Sequence, residues 1–358
     1  MSSISANINP VLTQIANIST TKGKISAFCI GNTRKINDTG FYFTPLRESG
    51  KVVLAGAIVY SEHTARAFAA SVDGKVDYVF VDAEKKTVLD DPNQDNGLSN
   101  IERAVRETVK ASKIVTYKGN DITADALDSF IAELLSEFPR GLGGRKAGIV
   151  GVGNVGAKLA LKLVERGMCV NLYRRDTEKL RKITEAINMI KPAETAASAV
   201  CSLDLLSVAR DVDVLIGLTQ GVGVINRDAV NVLSRIGVVI DGGKGSIKPC
   251  AFERSMELGI PIYRADVQHS FLGHVEMIIE TEQKVNLHMG RKEFEGVSVV
   301  SAGLMAGLGE VVVDSVSVPS TIMGIGNGRG DFLSNLGPAQ VEMLAHLEKY
   351  IETRRKDY

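Results

Sequence analysis

The sequence predicts an α/β protein in which an N-terminal α/β domain is followed by a Rossmann domain with a doubly wound parallel sheet. Strand-like and helix-like segments alternate along most of the 358 residues. The strands are short, continuous apolar runs, as expected where a sheet is buried on both faces. A Gly-x-Gly-x-x-Gly motif at 151–156 also follows one such strand and opens a helix.

Three parts are expected: a substrate or catalytic domain at 1–140, a nucleotide-binding domain at 141–310, and a C-terminal segment at 311–358. The first part has predicted strands at 25–29, 41–44, 51–60, 76–81 and 113–117, and helices at 61–71, 99–111 and 121–135. A short helix around 11–15 has Pro10 in its first turn. Glycines and a proline between 138 and 144 mark the first boundary.

The second part alternates regularly between strand and helix. Strands are predicted at 147–150, 169–173, 212–218, 238–241 and 261–263, and helices at 154–166, 177–189, 203–209, 226–234 and 249–258. Beyond residue 266, segments 275–279 and 297–300 fit either a strand or a buried helix, and 320–331 is predicted as a glycine-rich loop. A closing helix at 338–354 carries Leu344, Leu347 and Ile351 on one stripe, which we expect to pack back on the first domain.

Composition favours a small-molecule substrate as the partner. Lys plus Arg and Asp plus Glu each number 42, so no net positive charge argues for nucleic acid or an anionic membrane. Zero net charge favours a homo-oligomer. The N-terminus lacks the features of a signal peptide, and the longest apolar run, 52–60, is too short to span a bilayer. Four scattered cysteines without a C-x-x-C pair fit a reducing cytoplasm and predict no metal site.

The motif at 151–156 predicts a dinucleotide site. Gly151 allows a tight turn, Gly153 lets a pyrophosphate approach the backbone, and Gly156 lets helix and strand pack closely. Asn154 and Val155 begin the helix whose positive end would face the phosphates.

The end of the second Rossmann strand favours NADP over NAD. An NAD enzyme usually has an acidic residue there for the ribose hydroxyls, but this chain has Arg174 and Arg175 before Asp176. A hydrogen bond to a charged group contributes about 1.5–3 kcal/mol, so one arginine can shift the preference tenfold or more. The alternative is that both arginines are solvated and Asp176 is a helix N-cap. Arg174 could also stack on the adenine, which would not exclude its binding the phosphate.

Two further strand ends should face the same crevice. Leu218 and Thr219 would flank the nicotinamide ribose unless they form an ordinary strand-to-helix turn. Asp241, Gly242 and Lys244 lie on a glycine-rich loop; Asp241 could anchor a substrate or a lysine, and Lys244 could bind a carboxylate. A plain turn with a surface lysine is the alternative.

The first domain offers a candidate proton donor at its last strand end. Lys118 could protonate or polarise a carbonyl as hydride arrives, and Asp121 could hold that lysine or cap the next helix. Lys118 could equally be an exposed loop lysine, and Lys85 and Lys86 are weaker candidates. His269 could contact substrate, and the spacing of His269 and His274 alone is not a strong zinc signature.

These features resemble the amino-acid-dehydrogenase-like group of two-domain NADP enzymes, which includes shikimate dehydrogenases and methylene-tetrahydromethanopterin dehydrogenases. The resemblance covers about residues 50–265 and rests on the domain order, the 151–156 motif and the basic segment 173–179. In shikimate dehydrogenases that segment reads Asn-Arg-Thr and binds the NADP phosphate, which implies the same part for Arg174. The family's catalytic lysine follows a first-domain strand, which implies Lys118 rather than Lys85. Their Ser-x-Ser and Asn-x-Thr substrate motifs are missing here, so shikimate is not the expected substrate.

The sequence thus predicts an NADP-dependent dehydrogenase or reductase acting on a small polar carbonyl, imine or alcohol between the two domains. One alternative is a non-catalytic NADP(H)-sensing or scaffold protein. Another is that the motif holds a different nucleotide, such as an adenylated substrate.

Overall fold

A computed structural model describes residues 2–32, 40–84, 100–219 and 221–355. The chain divides into two compact units, Met1–Gly273 and His274–Tyr358. The sequence predicts a boundary after residue 310, but that residue lies inside a strand, Leu308–Val313, which pairs with strands from both sides of it in one sheet. The observed division therefore differs from the predicted one, because this sheet draws on residues before and after 310.

The first sheet of Met1–Gly273 has five strands in the order β2-β3-β1-β4-β5, and only β2 is antiparallel to its neighbour. The elements are α1 (Ser2–Lys22), β1 (Ile25–Asn32), β2 (Phe41–Glu48), β3 (Val52–Val59), α2 (Glu62–Val72), β4 (Tyr78–Asp82), α3 (Ile101–Thr108), β5 (Lys113–Tyr117) and α4 (Gly119–Leu134). β1 and β3 are buried along almost their whole length, as their continuous apolar sequences predict. Phe28 of β1 stacks on Phe68 of α2 in the core.

Helix α1 is longer than the sequence predicts. Pro10 lies inside it rather than in its first turn. A proline in a helix interior costs about 3 kcal/mol. Ile8, Leu12 and Ile15 share one face and are buried in the first core, and burying such side chains contributes about 1.5–3 kcal/mol each. Packing therefore outweighs the proline and extends the helix in both directions.

The second sheet of this unit has six parallel strands in the order β8-β7-β6-β9-β10-β11. The elements are β6 (Lys146–Val150), α5 (Asn154–Glu165), β7 (Cys169–Tyr173), α6 (Thr177–Ile190), β8 (Ala199–Cys201), α7 (Leu205–Ala209), β9 (Val214–Gly217), α8 (Arg227–Asn231), β10 (Val238–Asp241), α9 (Pro249–Leu258) and β11 (Ile262–Arg264). Numbered from β6, this is the 3-2-1-4-5-6 order of the Rossmann fold. The predicted fold class is confirmed, and the point where the strand order reverses lies between β6 and β9.

Helix α4 follows the first sheet in the chain but packs in the core of the second. Leu127, Ile131 and Leu135 are buried in one cluster with Ile149 of β6 and Leu159 of α5. α4 therefore lies against α5, and its first residue follows Lys118 directly. It links the last strand of the first sheet to the Rossmann core.

The rest of the chain forms a smaller sheet and two helices. The elements are α10 (Gln268–Gln283), a π-helical turn (Lys284–His288), β12 (Arg291–Phe294), β13 (Val297–Ser301), β14 (Leu308–Val313), β15 (Ile322–Asn327) and α11 (Pro338–Arg355). The strand order is β12-β13-β14-β15. Leu347 and Ile351 of α11 pack with Phe294, Val311 and Ile325 of these strands. The stripe on the last helix thus belongs to the core of its own unit, which corrects the expectation that it packs on the first domain.

Candidate functional site

The three glycines of 151–156 lie between β6 and α5, and their surroundings differ. Gly151 has a φ of +99°, and a Cβ there would lie 2.6 Å from the Leu218 carbonyl oxygen. A Cβ on Gly156 would lie 3.0 Å from the Gly151 carbonyl oxygen. A Cβ on Gly153 would meet no atom of the described chain within 4 Å. The turn itself therefore requires Gly151 and Gly156, whereas the space beside Gly153 is open to a ligand.

The first turn of α5 presents free backbone N–H groups beside that space. No side chain of the described residues caps this 12-residue helix, and its first turn has no acidic residue. Its first backbone bond runs from the Ala157 N–H to the Gly153 oxygen at 2.9 Å. The N–H groups of Asn154, Val155 and Gly156 have no acceptor within the described part of the chain. Such a helix end attracts phosphate groups.

Two arginines follow β7 at the same edge of the sheet. Arg174 is half-buried, and its Nη1 donates to the Val152 carbonyl oxygen at 2.7 Å. Arg175 is exposed, and its side chain contacts no partner among the residues that are described. Asp176 caps α6, since its carboxylate accepts the Lys179 N–H at 3.0 Å. The N-cap interpretation of Asp176 is confirmed, and the interpretation of Arg174 as merely solvated is wrong.

A buried serine joins the loops after β9 and β10. The Leu218 N–H donates to the Val150 oxygen at 2.7 Å, and the Thr219 N–H donates to Ser246 Oγ at 3.2 Å. Ser246 is 0% exposed. A Cβ on Gly242 would lie 2.7 Å from Leu218 Cδ2. Leu218, Thr219 and Gly242 therefore lie together next to the glycine turn. Ser246 could not be predicted from the sequence, because one serine in a glycine-rich loop carries no distinguishing signal.

Asp241 and Lys244 share a loop but form no ion pair with each other within the described part of the chain. Asp241 is only 4% exposed, and its carboxylate accepts the Gly245 N–H at 2.8 Å and the Ser246 N–H at 3.2 Å. Lys244 is exposed and has a φ of +54°, a conformation that is unfavourable for a residue with a Cβ. The carboxylate of Asp241 therefore shapes the loop, and the loop holds Lys244 in a strained backbone conformation.

Lys118 lies at the end of β5, where the sequence predicts it. Its side chain is exposed and has no partner among the described residues. Asp121 instead pairs with Lys158 of α5. The structure therefore gives the Asp121 carboxylate a role in joining two helices, and the contact of Asp121 with Lys118 is a backbone hydrogen bond, from the Asp121 N–H to the Lys118 oxygen at 3.2 Å. Lys85 and Lys86 lie outside the described residues.

Two more ion pairs join α4 to α5. Asp125 lies 2.9 Å from Lys162, and the buried Asp128 accepts two hydrogen bonds from Arg166 at 2.6 and 2.8 Å. The hydrogen bond to Asp128 raises the pKa of the Arg166 guanidinium. Ion pairs and apolar packing thus hold α4 against α5. Lys118 precedes the first of these helices, and the glycine turn precedes the second.

Carboxylates at the end of β4 hold the start of α4. Asp82 accepts the Gly119 N–H at 3.4 Å, and Glu84 accepts the Asn120 N–H at 3.1 Å. Both bonds fix the backbone immediately after Lys118. The sequence shows acidic residues at the end of this strand, which is one signal for a site. It does not show that they cap a helix that begins more than 30 residues later.

The remaining candidate groups are two histidines and four cysteines. His269 is exposed and His274 is half-buried, and the described residues contain no group of three His, Cys, Asp or Glu side chains that could hold a metal. The four cysteines are free. Burial raises the pKa of Cys29 to about 12, and this thiol donates to the Tyr117 hydroxyl at 3.2 Å. No helix within the described ranges is long and apolar enough to cross a membrane.

Most of the segment that forms the second sheet matches a known family of nucleotide-binding domains. Residues 146–249 match the family model described as the NAD binding domain of 6-phosphogluconate dehydrogenase. This match covers the glycine turn, both arginines and the loops after β9 and β10. It confirms the predicted dehydrogenase-like resemblance and supports an oxidoreductase in general. No curated protein gave a significant match.

Solved structures with a related architecture differ widely in sequence. L-tryptophan dehydrogenase from Nostoc punctiforme is 15% identical, with 69% of this chain and 71% of that chain covered and a TM-score of 0.38. Dipicolinate synthase from Bacillus halodurans is 15% identical, with 72% and 97% covered and a TM-score of 0.36. Ornithine transcarbamoylase from Giardia lamblia is 13% identical, with 73% and 89% covered and a TM-score of 0.40. At these scores the likeness does not bear on function.

The residues around the turn fit a pyridine dinucleotide. The open space beside Gly153 is where a pyrophosphate would approach, and the free N–H groups of α5 lie at its edge. Arg174 adds a fixed positive charge at the turn. The fit rests on donors and cations alone, which is the chemistry that a dianionic pyrophosphate requires.

Proposed function

We propose that the protein is an NADP-dependent oxidoreductase that moves hydride between the nicotinamide and a small polar carbonyl, imine or alcohol. The observation that carries this proposal is the glycine turn at 151–156, which leaves open space and free N–H groups beside the fixed guanidinium of Arg174. The family-model match over 146–249 supports it. When bound, NADP would supply the hydride acceptor or donor.

The cofactor would be held by groups on both sides of the strand-order reversal. Gly151, Gly153, Asn154, Val155 and Gly156 would bind the pyrophosphate through their backbone. Arg174 and Arg175 would supply the positive charge at this side of the cofactor, which carries the pyrophosphate and the adenosine 2′-phosphate. Leu218, Thr219 and Gly242 would flank the nicotinamide ribose, since they adjoin the turn on the β9 side.

The substrate would lie at the carboxyl ends of the strands, next to Lys118 and Lys244. Lys118 would donate a proton to the substrate oxygen or nitrogen during reduction and take it back during oxidation. Lys244 would bind a carboxylate of the substrate with its exposed ammonium. Asp121 and Asp241 would act as positioning residues, one through Lys158 and α5 and the other through the 242–246 loop.

Nucleotide binding tests the first part of the proposal. The chain has no tryptophan, so the fluorescence of NADPH itself can be followed without interference from that residue. We expect NADPH to bind and to raise the thermal unfolding temperature, because a ligand that binds only the folded state stabilises it. A protein that is neither bound nor stabilised by NADPH or NADH would contradict the proposal and favour a different nucleotide.

Turnover tests the second part, with a panel of small carbonyl, imine and hydroxy compounds. Lys118→Ala should lower kcat by about 10²- to 10⁴-fold, the usual contribution of a proton-transfer group, and leave NADPH affinity unchanged. Lys75→Ala is the matched control, since Lys75 is an exposed lysine near the opposite end of the same sheet. Wild-type turnover in Lys118→Ala would remove that residue from the chemistry. NADPH binding without turnover of any compound would favour the alternative of an NADP(H) sensor.

The same proposal includes a homo-oligomeric state and a cytoplasmic location. The zero formal charge and the free cysteines support these two points. Light scattering on the purified protein would test the first, and a fluorescent fusion in its host cell would test the second.

A further inference from the structure

Arg174 and Arg175 are neighbours in sequence, but only one of them is fixed. The Arg174 guanidinium donates to the Val152 oxygen at 2.7 Å. Val152 is fully buried between Gly151 and Gly153. The charge of Arg174 therefore stays against the turn where the proposed pyrophosphate would bind. Pyrophosphate is common to NAD(H) and NADP(H), so a charge held at this place acts on both.

Arg175 is exposed and has no side-chain partner in the part of the chain that the structure describes. The next residue, Asp176, is engaged as the cap of α6 through the Lys179 N–H rather than by the Arg175 side chain. Arg175 is therefore a cation at the end of β7 that is available to an incoming anion. The 2′-phosphate of NADP(H) is the anionic group that distinguishes it from NAD(H).

We infer that the two arginines divide the recognition of the cofactor. Arg174 is a positioning residue that supports the glycine turn for either dinucleotide, and Arg175 is the residue that selects NADP(H) through the 2′-phosphate. This inference rests on the proposed function. It departs from the resemblance to shikimate dehydrogenases, which implies that Arg174 binds the phosphate.

The test is a set of fluorescence titrations with NADPH and NADH on the wild-type protein and three variants. Arg175→Ala should weaken NADPH binding by about tenfold to a hundredfold and leave NADH binding unchanged. Arg174→Ala should weaken both by the same factor, so that the ratio of the two affinities stays at the wild-type value. Arg181→Ala is the control, because Arg181 is an exposed arginine of α6 that pairs with Glu185, and it should change neither affinity.

The ratio of affinities separates the inference from the proposed function. Wild-type protein that binds neither nucleotide would overturn both. Wild-type protein that prefers NADPH, together with an Arg175→Ala variant that keeps this preference, would overturn the inference alone. A loss confined to NADPH in Arg174→Ala would overturn it too. Urea unfolding of each variant without nucleotide shows whether the protein titrated was folded, and the ratio measured on folded protein decides the question.

Discussion

Replacing each of two glycines with alanine should separate the needs of the fold from those of the cofactor. In Gly151→Ala the new Cβ would lie 2.6 Å from the Leu218 oxygen, at a φ of +99°. The left-handed conformation costs about 1–2 kcal/mol and the overpacking about 1–3 kcal/mol, so we expect a loss of about 2–5 kcal/mol in the free energy of unfolding. In Gly153→Ala the φ is −105° and no described atom lies within 4 Å. Gly153 is the N-cap of α5, where glycine is preferred over alanine, so this variant should lose no more than about 1 kcal/mol in the free energy of unfolding.

Cofactor binding, unlike stability, should be strongly affected by Gly153→Ala. The methyl group of Gly153→Ala would occupy the space where the pyrophosphate approaches, so we expect NADPH affinity to fall at least tenfold, or by about 1.4 kcal/mol. Gly50→Ala is the matched control, since Gly50 is also free of neighbours within 4 Å and has no positive φ but lies between β2 and β3. Urea unfolding without nucleotide and NADPH titration measure the two effects. Unchanged NADPH affinity in Gly153→Ala, or wild-type stability in Gly151→Ala, would refute the reasoning.

Two further predictions concern the ion pairs between α4 and α5 and the carboxylate of Asp73, which follows α2. Asp128→Asn should destabilise the protein by about 1–3 kcal/mol, because it weakens a buried charged pair with Arg166. Asp125→Asn changes a side chain that is 47% exposed and should cost less than about 1 kcal/mol. Equal losses of the two variants in urea unfolding would contradict this prediction. Hydrogen bonds from backbone N–H groups, the strongest from Ser112, hold the pKa of Asp73 below its ordinary 3.8. This carboxylate therefore stabilises the folded state above pH 3.8, and that stability is lost as the pH falls through the folded pKa. Asp73→Asn should flatten the rise of stability between about pH 2 and pH 5, and an unchanged urea midpoint profile over that range would count against the assignment.

The Rossmann sheet could be predicted because its strands and helices differ in period and are separated by glycines and capping residues. Strands β8, β12, β14 and β15 were not predicted, and β8 and β15 show two different reasons. β8, Ala199–Cys201, has only three residues, which is too short to show a period. β15 contains Gly324 and Gly326 and so resembled a loop. A Cβ on Gly324 would lie 2.8 Å from the Phe332 ring, so this strand needs a glycine where strand propensity alone disfavours one.

The site was predictable where the contacts are local. The spacing of 151–156 indicated the turn, and Asp176 was recognisable as a cap because its partner is three residues away. Partners that are distant in sequence were not predictable. Asp121 pairs with Lys158, 37 residues further on, and Thr219 donates to Ser246, 27 residues further on. These choices depend on how α4 meets α5 and how two loops meet, which the sequence of either segment alone does not determine.

Asp241 illustrates what this means for experiments on the site. An acid on a glycine-rich loop suggests chemistry, but both of its oxygens accept backbone N–H groups of Gly245 and Ser246. Because Ser246 in turn holds Thr219, removing the charge of Asp241 would disturb the loop beside the proposed nicotinamide site whether or not the carboxylate takes part in the reaction. Lost activity in Asp241→Asn would therefore not identify a catalytic base. Lys244 is the more informative position in this loop, since its side chain is exposed and can be removed without disturbing the hydrogen bonds of Asp241, so that a rise in KM there would report on substrate binding itself.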